Sequence, residues 1–171
     1  TNPIEGTYKG IPYIRDMDGY IYIKEEMGGL LMGGFEPVAK PWGMRGIPDD
    51  FQYTQLQEDW DQFEIFMKTA MKRVPAFKDA EINSLTTVPE SFTPDTAYML
   101  GEVPGIRNFF VATGMNSVGI TSAGGAGRAL AQWMDQGYPE EDLWAVDVRR
   151  FYGWQKNHRY LHDRVIEAVG N

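Results

Sequence analysis

Hydrophobic and polar positions change period several times along the chain, and each change predicts an element. In residues 19–24, Gly19-Tyr20-Ile21-Tyr22-Ile23-Lys24, β-branched and aromatic residues alternate. Gly28-Gly29 and then Leu30-Leu31-Met32-Gly33-Gly34-Phe35 follow, so a β-hairpin is expected over 19–35, with a bulge or a close neighbour at Gly33-Gly34. Residues 37–50 are rich in proline and glycine and are expected as a loop. Apolar residues then recur in steps of four and three at Leu56, Trp60, Phe63, Met67, Ala70 and Val74. This is the stripe of an amphipathic helix packed on a sheet, expected to start at Thr54 with Gln57 closing a capping box and to end at Pro75. Residues 82–88 are expected as a strand, 89–95 as a turn, and 98–100 as a short extended piece before the turn at Val103-Pro104-Gly105.

The run Phe109-Phe110-Val111-Ala112 is continuously apolar, the signature of a strand buried on both faces. Gly114, Gly119, Gly124, Gly125 and Gly127 come next. A helix carrying Ala126, Leu130, Trp133 and Met134 then starts near Ser122, with Gly137 placed to cap its end. Strand, glycine-rich loop and helix make an α/β unit. A last helix is expected over 154–169, after an acidic stretch and the pair Arg149-Arg150. There is no internal repeat.

Composition narrows the function classes. The 171 residues, 43% hydrophobic and 13% aromatic, suffice for one ordinary domain with a buried core. Sixteen basic against twenty-four acidic residues leave a net charge of −8, which argues against nucleic acid or an anionic membrane as partner. Without cysteine there is no disulfide, thiolate nucleophile or cysteine-ligated metal. No apolar run approaches the ~20 residues of a membrane span, and the polar start does not read as a signal peptide. A reducing compartment is expected.

The candidate site is the segment that includes Gly114-Met115-Asn116-Ser117-Val118-Gly119-Ile120-Thr121. A helix N-terminus offers unpaired amides and partial positive charge, and glycines let a ligand approach the backbone. The same small residues would equally allow close helix–strand packing, and spacing alone does not choose between the two. The dinucleotide fingerprint is present only in truncated form, as Gly125-x-Gly127, and there is no phosphate loop. His158 and His162, four apart, lack the glutamate and the third ligand of a zinc site. Glu58, Asp59, Asp61 and Glu64 read as a solvated helix face rather than an acid/base pair.

At these same residues the sequence resembles the dimethylglycine dehydrogenase and sarcosine dehydrogenase family of D-amino-acid-oxidase-like flavoproteins. Pro89-Glu90-Ser91-Phe92-Thr93-Pro94-Asp95, Gly101-Glu102-x-Pro104, Gly114-Met115-Asn116-Ser117-x-Gly119, Ala123-Gly124-Gly125-Ala126-Gly127, Leu130-Ala131-x-Trp133 and Asp147-x-x-Arg150-Phe151 match its pattern in order. The start Leu56-Gln57-Glu58-Asp59-Trp60-Asp61 and the Met115-Asn116-Ser117 variant are most similar to its branch of pyruvate dehydrogenase phosphatase regulatory subunits.

The resemblance implies a mixed α/β fold, the C-terminal part of a flavin domain. Residues 18–100 would be mostly substrate-side sheet and helix, 106–137 the flavin-side strand, loop and helix, and 140–171 a tail helix. It implies FAD as cofactor, with residues 114–121 against the pyrimidine end of the ring and Glu90 nearby. It implies oxidation of a small N-methylated amino acid by hydride loss, or else a non-catalytic regulatory subunit. The substrate carboxylate would need a clamp, for which Tyr22 and Lys24 are candidates. The N-terminal segment that holds the ADP half of FAD is missing, as is a C-terminal folate-binding domain, so the isolated chain is expected to be inactive, or to be simply an independently packed module. Val88 stands where oxidase relatives carry a flavin-linking cysteine, and Thr121 where they carry a lysine, implying slow reaction with oxygen. The compartment implied is the bacterial cytoplasm or the mitochondrial matrix.

Overall fold

Two compact units organise the chain in a computed structural model that describes residues 1–168. The first comprises Thr1–Pro37 and Asp49–Pro89; the second comprises Val38–Pro48 and residues 90–168. The architecture is mixed α/β, as the sequence leads one to expect.

The first unit is built on a three-stranded antiparallel sheet of β1 (Ile14–Asp16), β2 (Ile21–Glu26) and β3 (Gly29–Gly34), in that spatial order. Alternation decides the faces: Ile21 and Ile23 are buried while Tyr22 points outward. The expected hairpin is β2–β3, joined by Met27 and Gly28, both in the left-handed region as a two-residue hairpin turn requires. The close neighbours expected at Gly33-Gly34 are real. A Cβ at Gly33 would overlap the Tyr22 ring, and one at Gly34 would come within 2.6 Å of Phe66. Strand β1 has no alternation long enough to announce it. It is fixed instead by Asp16, whose carboxylate accepts from Gly19 N at 3.0 Å and from Arg73 Nε at 2.5 Å.

Helix α1 (Trp60–Arg73) covers this sheet, with Phe66 and Ala70 joining Ile21, Ile23, Leu30 and Phe77 in one core. It corrects three expectations. It begins six residues after Thr54, because Asp59 is the cap: its Oδ1 accepts from Gln62 N at 3.0 Å. Leu56 lies outside the helix because its amide donates to Thr87 O at 2.9 Å in an isolated bridge. The buried face is centred on Phe66 rather than Met67, and Trp60 is largely exposed. Residues 82–88 do not form a strand. Thr87 alone finds a backbone ladder partner, and one bridge is not a ladder.

In the second unit β4 (Met99–Glu102) and β5 (Phe110–Thr113) form an antiparallel pair, with Leu100 opposite Ala112. Helix α2 (Gly119–Gln136) lays Ala126 and Ala129 on Leu100 and sets Trp133 edge-on to Phe110 at 5.9 Å. Gly137, at φ +84°, ends it as expected, its amide donating to Trp133 O at 2.8 Å. Strand β5 is not buried on both faces: among the described residues it pairs with β4 alone, and its residues are half-buried or exposed. The helix α3 (His158–Ala168) starts four residues later than expected, a 3-10 turn at Gly153–Lys156 taking the place of its first turn. The expected end, at Val169, lies outside the described residues.

Candidate functional site

The link from β5 to α2 is only five residues long, and its path is dictated by left-handed backbone. Gly114, Asn116 and Ser117 have φ of +62°, +47° and +64°. Glycine is required at 114 for a second reason: a Cβ there would lie 2.6 Å from Thr93 Cγ2. Asparagine tolerates the left-handed region better than most side chains, whereas Ser117 occupies it at a cost. Val118 N donates to Met115 O at 2.9 Å and closes the turn.

Helix α2 therefore begins at Gly119, three residues before the expected Ser122. Of the candidate residues, Gly114, Met115, Asn116, Ser117 and Val118 form the loop, while Gly119, Ile120 and Thr121 are the first helical turn. Their three amides have no intrahelical acceptor. Val118, at the cap position, provides no side-chain hydrogen bond. Ile120 is fully exposed. The positive end of an 18-residue helix is thus without a capping side chain.

Glu90 is joined to this loop, its carboxylate accepting from the Ser117 hydroxyl. Thr121 and Ser122 also face a groove of about 290 Å³ beside α2, shared with Tyr98, Leu100, Gly125 and Glu141.

A strap of residues 93–97 runs behind the loop. Thr93, 3% exposed, donates its amide to Asn116 Oδ1 at 2.8 Å and its hydroxyl to Ala97 O at 2.8 Å. Arg150 holds the other end with a forked pair on Asp95 at 2.6 and 3.0 Å and a bond to Ala97 O at 2.5 Å. Partial burial pushes the Asp95 carboxyl up, but Arg150, the Ala97 amide and Thr93 together hold it below the ordinary carboxylate value. The strap was within reach of the sequence only as part of the motif Phe92-Thr93-Pro94-Asp95. Nothing in its spacing shows that Thr93 and Asp95 work in opposite directions.

Other candidates are committed elsewhere. Lys24 pairs with Glu26 at 2.7 Å, which raises its pKa, and the Tyr22 ring covers Gly33. Asp59 caps α1, Glu58 accepts from the Trp60 indole at 3.0 Å and Glu64 pairs with Lys68 at 2.9 Å. His158 and His162 both lie on α3, and among the described residues no group of three His, Cys, Asp or Glu could hold a metal ion. No described helix is long and apolar enough to cross a membrane.

Comparison with known proteins shows the family. Residues 1–133 match the family model described as FAD dependent oxidoreductase, and residues 136–171 match that of the FAD dependent oxidoreductase central domain. The chain is 43% identical to the mitochondrial pyruvate dehydrogenase phosphatase regulatory subunit of Mus musculus, over 92% of this chain and 18% of that protein. It is 40% identical to the formaldehyde-forming 4-methylaminobutanoate oxidase of Paenarthrobacter nicotinovorans, over 98% of this chain and 20% of that protein. It is 36% identical to the mitochondrial sarcosine dehydrogenase of Homo sapiens, over 98% and 18%. The chain spans about a fifth of the length of these relatives. It belongs to the FAD dependent oxidoreductase family.

Proposed function

We propose that this chain is the C-terminal part of the flavin domain of an oxidoreductase that oxidises a small N-methylated amino acid by hydride transfer to FAD. In this reading the loop Gly114-Met115-Asn116-Ser117-Val118 and the first-turn amides of Gly119, Ile120 and Thr121 lie against the pyrimidine end of the flavin. The single observation that carries it is the uncapped N-terminus of α2 directly behind a left-handed loop, in a chain of an FAD-dependent family. Bound flavin supplies a two-electron acceptor for the substrate's hydride. The chain's contribution is electrostatic: amides and a helix dipole stabilise negative charge where they point. The named relatives whose substrates are printed act on sarcosine, dimethylglycine or 4-methylaminobutanoate, which supports the substrate class.

The division of labour follows. Residues 18–100 serve mostly the substrate side, 106–137 the flavin side and 140–171 a tail leading towards further domains. A segment outside this chain holds the ADP half of FAD, and a folate-binding domain lies outside it as well. The compartment is a mitochondrial matrix or a bacterial cytoplasm. The isolated chain is inactive.

The 43% identity to a phosphatase regulatory subunit favours a second reading, a non-catalytic regulatory subunit with the same fold. Anaerobic addition of sarcosine, dimethylglycine or 4-methylaminobutanoate to the full-length protein separates the two. Bleaching of the flavin absorbance by one of them is the expected result. An unchanged spectrum with flavin bound assigns the regulatory role.

A further inference from the structure

Asn116 spends both polar atoms of its side chain, and its amide, inside the fold. Its Oδ1 accepts from Thr93 N at 2.8 Å, its Nδ2 donates to Gly114 O at 2.5 Å and Thr93 Oγ1 at 3.2 Å, and its own amide donates to Ser91 O at 3.3 Å. A side chain so saturated has little left to offer a ligand, so its effect must pass through what it holds. It holds both sides of the turn: Gly114 at the exit from β5, and the buried Thr93 behind it. The strap it leans on is in turn pinned by Arg150, on Asp95 and Ala97 O, and by Arg164 Nε on Pro94 O at 2.9 Å. Both arginines lie in the stretch matching the central-domain model, while Asn116 and Thr93 lie in the stretch matching the flavin-dependent oxidoreductase model.

We propose that Asn116 is a positioning residue for the amides of Gly119, Ile120 and Thr121, and that the strap of residues 93–97, gripped by Arg150, is the support that lets it act. The inference rests on the reading of those amides as the flavin side. It assigns Arg150 a role beyond folding the tail: the central-domain stretch sets the position of the loop through two side-chain links, Arg150 to Asp95 and Asn116 to Thr93. Thr93 connects them, since its hydroxyl shares the Ala97 carbonyl with Arg150. A hydrogen-bonded network with the buried Thr93 at its centre has one preferred arrangement, and loosening either end frees the turn.

Hydrogen exchange in the full-length, FAD-loaded protein tests this, followed on peptides covering 114–122 and, as reference, 126–136. Asn116→Ala should speed exchange in 114–122 at least tenfold and leave the reference peptide unchanged. Its bound flavin should show a shifted visible band at unaltered FAD stoichiometry. Arg150→Lys, which removes the fork, should speed the same peptide severalfold. Thr93→Val should do likewise, and Thr93→Ser should restore wild-type exchange. Unchanged exchange in both Asn116→Ala and Arg150→Lys overturns the proposal, as does an equal rise in the reference peptide. Identical wild-type exchange of 114–122 with and without FAD would instead remove the flavin reading. That result comes from comparing loading states, whereas the Asn116 result comes from comparing variants within one state.

Discussion

At the scale of single residues, Asp95 and Arg150 offer the clearest ionic contribution to follow. The pair is forked, and Arg150 is the more buried partner, so little of it resembles a free surface ion pair. The Asp95 carboxyl is held below its ordinary value, so the folded state binds its proton less readily than the unfolded chain does. The stabilisation is therefore complete above the unfolded carboxylate pKa of about 4 and is lost as pH falls through the lower folded value. Asp95→Asn should cost about 0.5–1 kcal/mol at pH 7, discounted for the exposure of the carboxylate. The cost relative to wild type should shrink towards zero as the solution is acidified below pH ~4. Urea unfolding at about pH 7, 5 and 3 checks this, and a cost that grows with acidity would contradict the assignment.

At the scale of elements, the helices show what sequence patterns do and do not transmit. The hairpin at β2–β3 was legible because alternation and a glycine turn agree, and the end of α2 because Gly137 has one natural use. The start of α1 was not. Thr54 with Gln57 and Asp59 with Gln62 are both good caps, and the choice is made by Thr87, which takes the amide of Leu56 from more than thirty residues away in sequence. The same kind of distant partner decides residues 82–88, whose strand-like composition finds a single bridge. In the candidate site, the glycines announced a turn, but not the positive φ of Asn116 and Ser117 just before α2, nor the bond from the Thr93 amide to Asn116 Oδ1 that joins residues far apart in sequence. Because Asp59 is the cap, Asp59→Ala should destabilise the protein by about 1 kcal/mol, and Thr54→Ala should change it by less than about 0.5 kcal/mol. Thermal unfolding of the two variants side by side decides the matter. Equal losses would restore the earlier helix start.

At the scale of the whole molecule, charge decides how much of the cofactor this chain can hold by itself. The net charge is −8, and α2 offers an uncapped positive end beside a loop rather than a basic cleft. In the proposed reading such an end faces the pyrimidine edge of a flavin, which is neutral when oxidised, whereas the pyrophosphate of FAD would meet a like-charged molecule. At low ionic strength that repulsion is long-ranged, and it fades once the Debye length falls to about 10 Å near 0.1 M salt. A Cβ added at Gly124, Gly125 or Gly127 on α2 would meet no described atom within 4 Å. Riboflavin and FAD should therefore bind the isolated 171-residue chain weakly and within about tenfold of one another, riboflavin with little salt dependence. FAD should bind more tightly at about 0.1 M salt than at about 0.01 M. Flavin fluorescence titration at both salt concentrations measures this directly. FAD binding far tighter than riboflavin at low salt would mean that the ADP half has its site within these residues, and the division of the cofactor between this chain and a further segment would have to be abandoned.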